Sequence, residues 1–165
     1  MKALHRLSNW VYSIEKFAAI ILCGTMLFSL AAGVLYRYVL SSPLTWSDEI
    51  AIFSLVWLSF IGGSMSIKRK ESAAVSILMD KMKGKLRTVL LGIGMLALLA
   101  FVAYIFYLSI GWLSSPNIRV QKSSSIGLPM IYAYLSIPVC FLFMVIHTLE
   151  LVLDNFFGKQ GGSAS

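Results

Sequence analysis

Four stretches without a formal charge constrain this chain more than anything else in it. Residues 17–36 run for 20 residues without Asp, Glu, Lys or Arg, residues 50–67 for 18, residues 88–118 for 31, and residues 123–149 for 27. A helix crossing a bilayer needs about 20 mostly apolar residues. Four such windows in 165 residues leave no room for a separate soluble domain. Composition agrees: 13% of residues are charged, against about 25% in an ordinary soluble domain. With 58% hydrophobic residues, one small core cannot hide the apolar surface, and lipid is its natural solvent. The expected fold class is an all-α integral membrane protein with four transmembrane helices. The first window, despite the cleavage-like Ser29-Leu30-Ala31, is longer than the apolar core of a secretory signal and is expected to act as a membrane anchor.

Lysine and arginine set the expected orientation. Before the first window stand Lys2, Arg6 and Lys16. Between the second and third stand Lys68, Arg69, Lys70, Lys81, Lys83, Lys85 and Arg87, and Lys159 lies in the tail. Only Arg37, Arg119 and Lys122 fall on the other side. The basic side should be cytoplasmic, with both termini inside. This asymmetry also accounts for the net charge of +7 without nucleic acid as a partner. Cys23 and Cys140 both fall inside spans, outside any CxxC pattern, and read as small buried hydrophobes.

The expected helices cover about 17–40, 46–67, 88–115 and 129–153, in one membrane domain over 1–158 with a flexible tail at 159–165. Residues 1–16 carry Leu4, Leu7, Trp10, Val11 and Ile14 at helical spacing and read as an amphipathic segment lying on the inner surface. A second such segment follows the second span, where Lys68, Arg69, Lys70, Lys81, Lys83 and Lys85 are candidates for contact with anionic membrane lipids. Ser29 and Gly33, and Ser59 and Gly63, are pairs of small residues four apart that let another helix approach closely. The short connection 41–45 forces the first two helices into an antiparallel hairpin. Pro138 removes one backbone donor and should bend the fourth helix. Tyr36, Tyr38, Trp46, Tyr107, Trp112, Tyr132 and Tyr134 should gather at the outer interface.

Enzymatic signatures are absent: there is no GxSxG, HExxH, P-loop or Gly-rich dinucleotide turn. No catalytic, cofactor or metal residue is expected. His147, with Glu150 three residues on, reads as a hydrogen-bonding group near the inner interface. The middle of each window lacks the ionisable residues that mark ion pathways. Asp48 and Glu49 are the exception worth explaining, because they sit together at the start of an apolar helix. Thr45-x-x-Asp48 fits a capping box with Asp in the place of Glu, and acids there complement the helix dipole. Neighbouring residues point about 100° apart on a helix, so one function cannot serve both. Capping together with an Arg37–carboxylate pair accounts for one acid; contact with another subunit is the alternative for the other.

The stretch "RYVLSSPLTWSDEIAIFSLVWLSFIGG" resembles the small membrane subunit of tripartite ATP-independent periplasmic (TRAP) transporters. The matching positions are Arg37, Pro43, Leu44, Trp46, Asp48 and Glu49, followed by Trp57, Phe60, Gly62 and Gly63. The basic "KRKESAAVSIL" loop and the "SSSIGLPMIYAYLSIPVCFLFM" segment, with Gly127, Pro129, Tyr132 and Pro138, extend the resemblance over nearly the whole chain. It implies a multi-pass protein of a bacterial inner membrane and a three-part secondary transporter. A periplasmic binding protein would capture an organic anion such as sialic acid or a C4-dicarboxylate. A large membrane subunit would carry the substrate and the Na+ coupling, and this small permease subunit would pack against it. Two other classes remain open. An autonomous small four-helix carrier needs a membrane-embedded acid, and a haem-binding anchor of a membrane dehydrogenase needs axial histidines at membrane depth.

Overall fold

A computed structural model describes residues 2–69 and 85–157. Helix α1 spans Lys2–Tyr38, α2 Thr45–Arg69, α3 Lys85–Leu113, α4 Pro116–Val120, α5 Ile131–Tyr134 and α6 Ser136–Phe157. Four segments are long and apolar enough to cross a bilayer: Ala3–Tyr38, Thr45–Arg69, Leu91–Leu113 and Ile131–Asp154. There is no strand among the described residues, only an isolated bridge between Lys122 and Pro129. The fold is that of an all-α membrane protein.

The first helix corrects the expectation of a surface segment followed by a span. Residues 2–38 form one helix of 37 residues, about 55 Å at 1.5 Å per residue. The apolar pattern that suggested surface binding is divided between the two faces of the helix. Leu7, Trp10, Ile14 and Phe17 are exposed, whereas Ser8, Val11 and Glu15 are buried. In water the apolar stripe of a helix turns inward. In a bilayer the surroundings are already apolar, so the polar stripe turns inward to find partners. The second expected surface segment, with Lys70, Lys81 and Lys83, lies outside the described residues.

Packing puts α6 at the centre. The most extensive contact is α1 with α2, followed by α3 with α6 and α2 with α6, with a smaller α1–α6 contact. Within the span windows, 44% of the α6 segment is buried against 6% of the α1 segment. The contact face of α2 is built from small residues, with Ser47, Ala51, Ser54, Ile61 and Ser64 buried at helical spacing. Opposite them, Ser29 is buried, and a Cβ placed on Gly33 would stand 2.6 Å from Ser47 Oγ. The Ser29–Gly33 pair thus sets the α1–α2 approach, as its spacing predicts. The second pair behaves differently. A Cβ on Gly63 would meet Met144 Cε at 3.1 Å, while Ser59 faces outward and bonds the Leu55 carbonyl.

Between α1 and α2 the chain turns over Ser41, whose positive φ of 51° lets the Ser42 N–H reach the Tyr36 carbonyl at 3.1 Å. The fourth span is divided at Leu135, which keeps helical dihedrals (φ −58°, ψ −24°). Pro138 consequently falls in the first turn of α6, where a missing N–H is tolerated. The Tyr132 carbonyl beside this seam accepts the Trp57 indole N–H at 3.0 Å. An aromatic pair, Trp112 with Tyr134 edge-on at 5.0 Å, ties the far end of α3 to α5.

Candidate functional site

Two polar clusters occupy opposite ends of the bundle. At the end away from the chain termini, Glu49 in the first turns of α2 holds the loop that precedes α5. Its Oε2 accepts the Ser123 hydroxyl and the Ile126 N–H at 3.1 Å, and its Oε1 accepts the Ser125 N–H at 2.8 Å. The loop closes on itself through Ser123 N–H to Leu128 O at 2.8 Å and Met130 N–H to Gln121 O at 3.0 Å. Gly127 turns the chain there with a φ of 66°, a conformation that costs a side-chain-bearing residue more than glycine. An ionised carboxylate with three donors is a strong, directional arrangement. Glu49 therefore spends its side chain inside this chain, organising the loop.

Asp48 points elsewhere. Its carboxylate lies 3.5 Å from Arg37, and both side chains are largely exposed. The angular argument from sequence holds, since the two adjacent acids serve different neighbours. The Arg37 pair joins the ends of α1 and α2. Of the remaining motif positions, Trp57 and Tyr132 are brought together by the indole–carbonyl bond. Pro129 forms the bridge to Lys122, Pro138 is buried, Pro43 is exposed in the turn and Trp46 is half-buried. Gly62 faces open space, with nothing within 4 Å of an added Cβ.

The other cluster joins α1, α2 and α6 at the basic end. Glu15 is 1% exposed and His147 fully buried, and His147 Nε2 lies 3.0 Å from Glu15 Oε2. The other ring nitrogen, Nδ1, is 2.7 Å from Ser8 Oγ, and the Ser8 hydroxyl donates to Glu150 Oε2. Lys68 places its ammonium 2.5 Å from the same oxygen. His5 bridges to the surface, with Nδ1 2.6 Å from Glu150 Oε1 and Nε2 2.9 Å from Asp154. Two buried polar atoms have no partner among the described residues, Glu15 Oε1 and Ser64 Oγ.

This cluster corrects one sequence reading. Lys68 is not at the lipid surface but pairs with Glu150 in the bundle. Arg69 bonds the Tyr12 hydroxyl at 2.8 Å and lies over the Tyr12 ring. Lys85 begins α3. Sequence reasoning missed Glu15, Ser8 and His5, although the signal was present. Ser8 and Glu15 are seven apart, and His147, Glu150 and Asp154 follow at intervals of three and four, so each set lies on one helix face.

Neither histidine suits a haem iron, because both ring nitrogens of each are held by side chains. His5, Glu150 and Asp154 bring potential ligand atoms within 4.8 Å of one another. The Lys68 ammonium already neutralises Glu150, and His5 sits between the two carboxylates with a nitrogen toward each. That is charge pairing rather than a metal-binding geometry.

The fold is that of a small multi-pass membrane protein, with four helices long and apolar enough to cross a bilayer. The chain belongs to the family described as "Tripartite ATP-independent periplasmic transporters, DctQ component", which matches residues 9–158. It is therefore a TRAP-type small permease component and not an enzyme. It is 25% identical over 154 residues to the sialic acid TRAP transporter small permease protein SiaQ of Vibrio cholerae, covering 93% of this chain and 86% of the relative. To the C4-dicarboxylate TRAP transporter small permease protein DctQ of the same organism it is 27% identical over 96 residues, 58% of this chain and 41% of the relative. To the isethionate TRAP transporter permease protein DctMQ of Oleidesulfovibrio alaskensis it is 24% identical over 131 residues, 76% of this chain. There the chain spans only 21% of the relative's length.

Proposed function

We propose that this chain is the small transmembrane subunit of a sodium-coupled TRAP transporter that imports an organic anion across a bacterial inner membrane. It packs against and supports a large subunit that carries the substrate and the Na+. A periplasmic binding protein delivers the anion to the assembly. The observation that carries this reading is the isethionate relative, in which the matching region is about a fifth of one longer permease chain. A segment fused to the rest of a permease works beside it. The three relatives are named for isethionate, sialic acid and C4-dicarboxylate, all of them small organic anions, which supports that substrate class.

Reconstitution tests the assignment. Liposomes containing this chain alone should take up no organic anion when a sodium gradient is imposed. Adding the large subunit and the loaded binding protein should restore uptake. Robust uptake by this chain alone would make it an autonomous carrier, and full uptake by the large subunit without it would remove its supporting role.

A further inference from the structure

The exposed apolar stripe of α1 does not stop where the bilayer does. Leu7, Trp10, Ile14, Phe17 and Ile21 are all exposed, and steps of three and four residues put them along one side of the helix. Lipid accounts for such a face from Phe17 onward, within the span. It does not account for the turns before it. With Tyr36 at the outer end of the hydrocarbon, a core of about 30 Å at 1.5 Å per residue ends near Lys16. The end of α2 agrees with that level, since Arg69 bonds the Tyr12 hydroxyl. Leu7 then lies about 14 Å past Lys16, and Trp10 about 9 Å. Headgroups add only about 5–7 Å on each side. Leu7 is beyond them and Trp10 at their outer edge, and the usual tilt of about 20° does not bring Leu7 back.

Inside the span the same stripe opens into a cavity. Ile14, Phe17 and Ile21 form the α1 wall of an open, almost wholly apolar groove of about 480 Å³, with Trp57 of α2 and Phe143 of α6 among the other walls. Two cations flank the stripe on its outer side. Lys16 is exposed at headgroup depth, and Arg6 is exposed one turn before Trp10, about 15 Å further along the helix. Neither has an ion-pair partner among the described residues. On the reading that this chain packs against a large subunit, we propose that one helix of that subunit lies along this stripe. Its apolar face fills the groove and covers Trp10 and Leu7, and an acidic side chain at its end meets Arg6.

Charge and reach select this occupant over its competitors. An acyl chain can fill the groove, and its phosphate can meet Lys16, but neither follows α1 as far as Leu7 and Arg6. A second copy of this chain, inserted in the same direction about a two-fold axis, would set Arg6 and Lys16 against their own counterparts, and like charges oppose that pairing. A packed helix runs with its axis about 8–10 Å from its neighbour. That is close enough to enter the groove and to stay on the stripe for the roughly 21 Å from Leu7 to Ile21. Trp10, 65% exposed, and Arg6 beside it are of the residue types that dominate protein contacts.

Photo-crosslinking of the assembled complex in lipid nanodiscs tests this. With p-benzoylphenylalanine in place of Leu7, Trp10 or Phe17, one at a time, irradiation should join this chain to the large subunit. Adducts from these positions with lipid alone, with a second copy, or with residues 70–84 of the same chain would overturn the surface. So would an adduct to the large subunit from the exposed Tyr107 of α3 with none from the stripe. Arg6→Glu should lower the large subunit recovered with the tagged chain several-fold, whereas Arg6→Lys should retain most of it. Equal recovery in Arg6→Glu and wild type would overturn the acidic contact. The partner and the surface fail differently. A wild-type chain that recovers no large subunit removes the partner itself, whereas recovery without any adduct from the stripe leaves the partner and removes only this surface.

Discussion

Asp48 and Glu49 are adjacent in sequence, yet their surroundings differ in kind. Among the described residues Glu49 is the only acceptor given to the Ser125 and Ile126 N–H groups and the Ser123 hydroxyl, so Glu49→Ala leaves three donors of the 121–130 loop to water. Amide hydrogen exchange at Ser125 and Ile126 should then quicken, on the order of tenfold, because the bonds lost are charge-assisted. Glu49→Gln keeps an acceptor and should lie between the two. Unchanged protection in Glu49→Ala would mean that the loop holds itself through the Ser123–Leu128 and Gln121–Met130 bonds alone. Asp48→Ala removes an exposed pair at 3.5 Å, and exposed pairs contribute only about 0–1 kcal/mol. Its thermal stability should stay close to wild type. The sequence predicted that these acids would diverge, from the 100° step of the helix. It could not name Ser123, Ser125 and Ile126 as partners, because they lie more than seventy positions away and side-chain spacing within α2 says nothing about a distant loop.

The hairpin of α1 and α2 depends on the absence of a side chain. Gly33→Ala would place a methyl 2.6 Å from Ser47 Oγ and 3.2 Å from its Cβ, and overpacking of this kind costs about 1–3 kcal/mol. Ser47→Gly removes both atoms, so the double variant should recover part of the loss, a coupling that thermal unfolding of the four variants in detergent measures. Additive effects would show that the helices simply slide apart. At the seam of the fourth span, Trp57→Phe keeps the ring but removes the donor to the Tyr132 carbonyl, a loss of about 0.5–1.5 kcal/mol. The sequence made Ser29–Gly33 legible because the pair acts through local backbone geometry; Pro138, expected to bend the fourth helix, stands instead in the first turn of α6. The sequence misplaced the start of α1 for a physical reason. Counting charge-free residues ends a span at Lys16 and Glu15, whereas Glu15 enters the bundle because His147, 132 positions away, receives it. A buried charge looks like a boundary until its partner is known.

At the scale of the whole molecule the two ends are chemically unlike, and that difference bears on orientation. Eleven of the 14 Lys and Arg residues belong to the end that carries both termini, and the remaining three, Arg37, Arg119 and Lys122, to the other. Pairing in the folded state changes the free charge but not the rule. Lys68 is neutralised by Glu150, yet the bias acts on lysine and arginine counts in short loops, with acids contributing little. The basic end should therefore face the cytoplasm, which would open the His5–Asp154 rim to cytoplasmic water and the Glu49-held loop to the periplasm. Single-cysteine labelling with a membrane-impermeant reagent checks this in a background lacking Cys23 and Cys140. Lys122→Cys, exposed in the loop, should be labelled in intact cells. Lys83→Cys, on the basic side of the charge count, should be labelled only after the membrane is opened. The reverse pattern would invert the molecule, and with it the sides that the His5–Asp154 rim and the Glu49-held loop face.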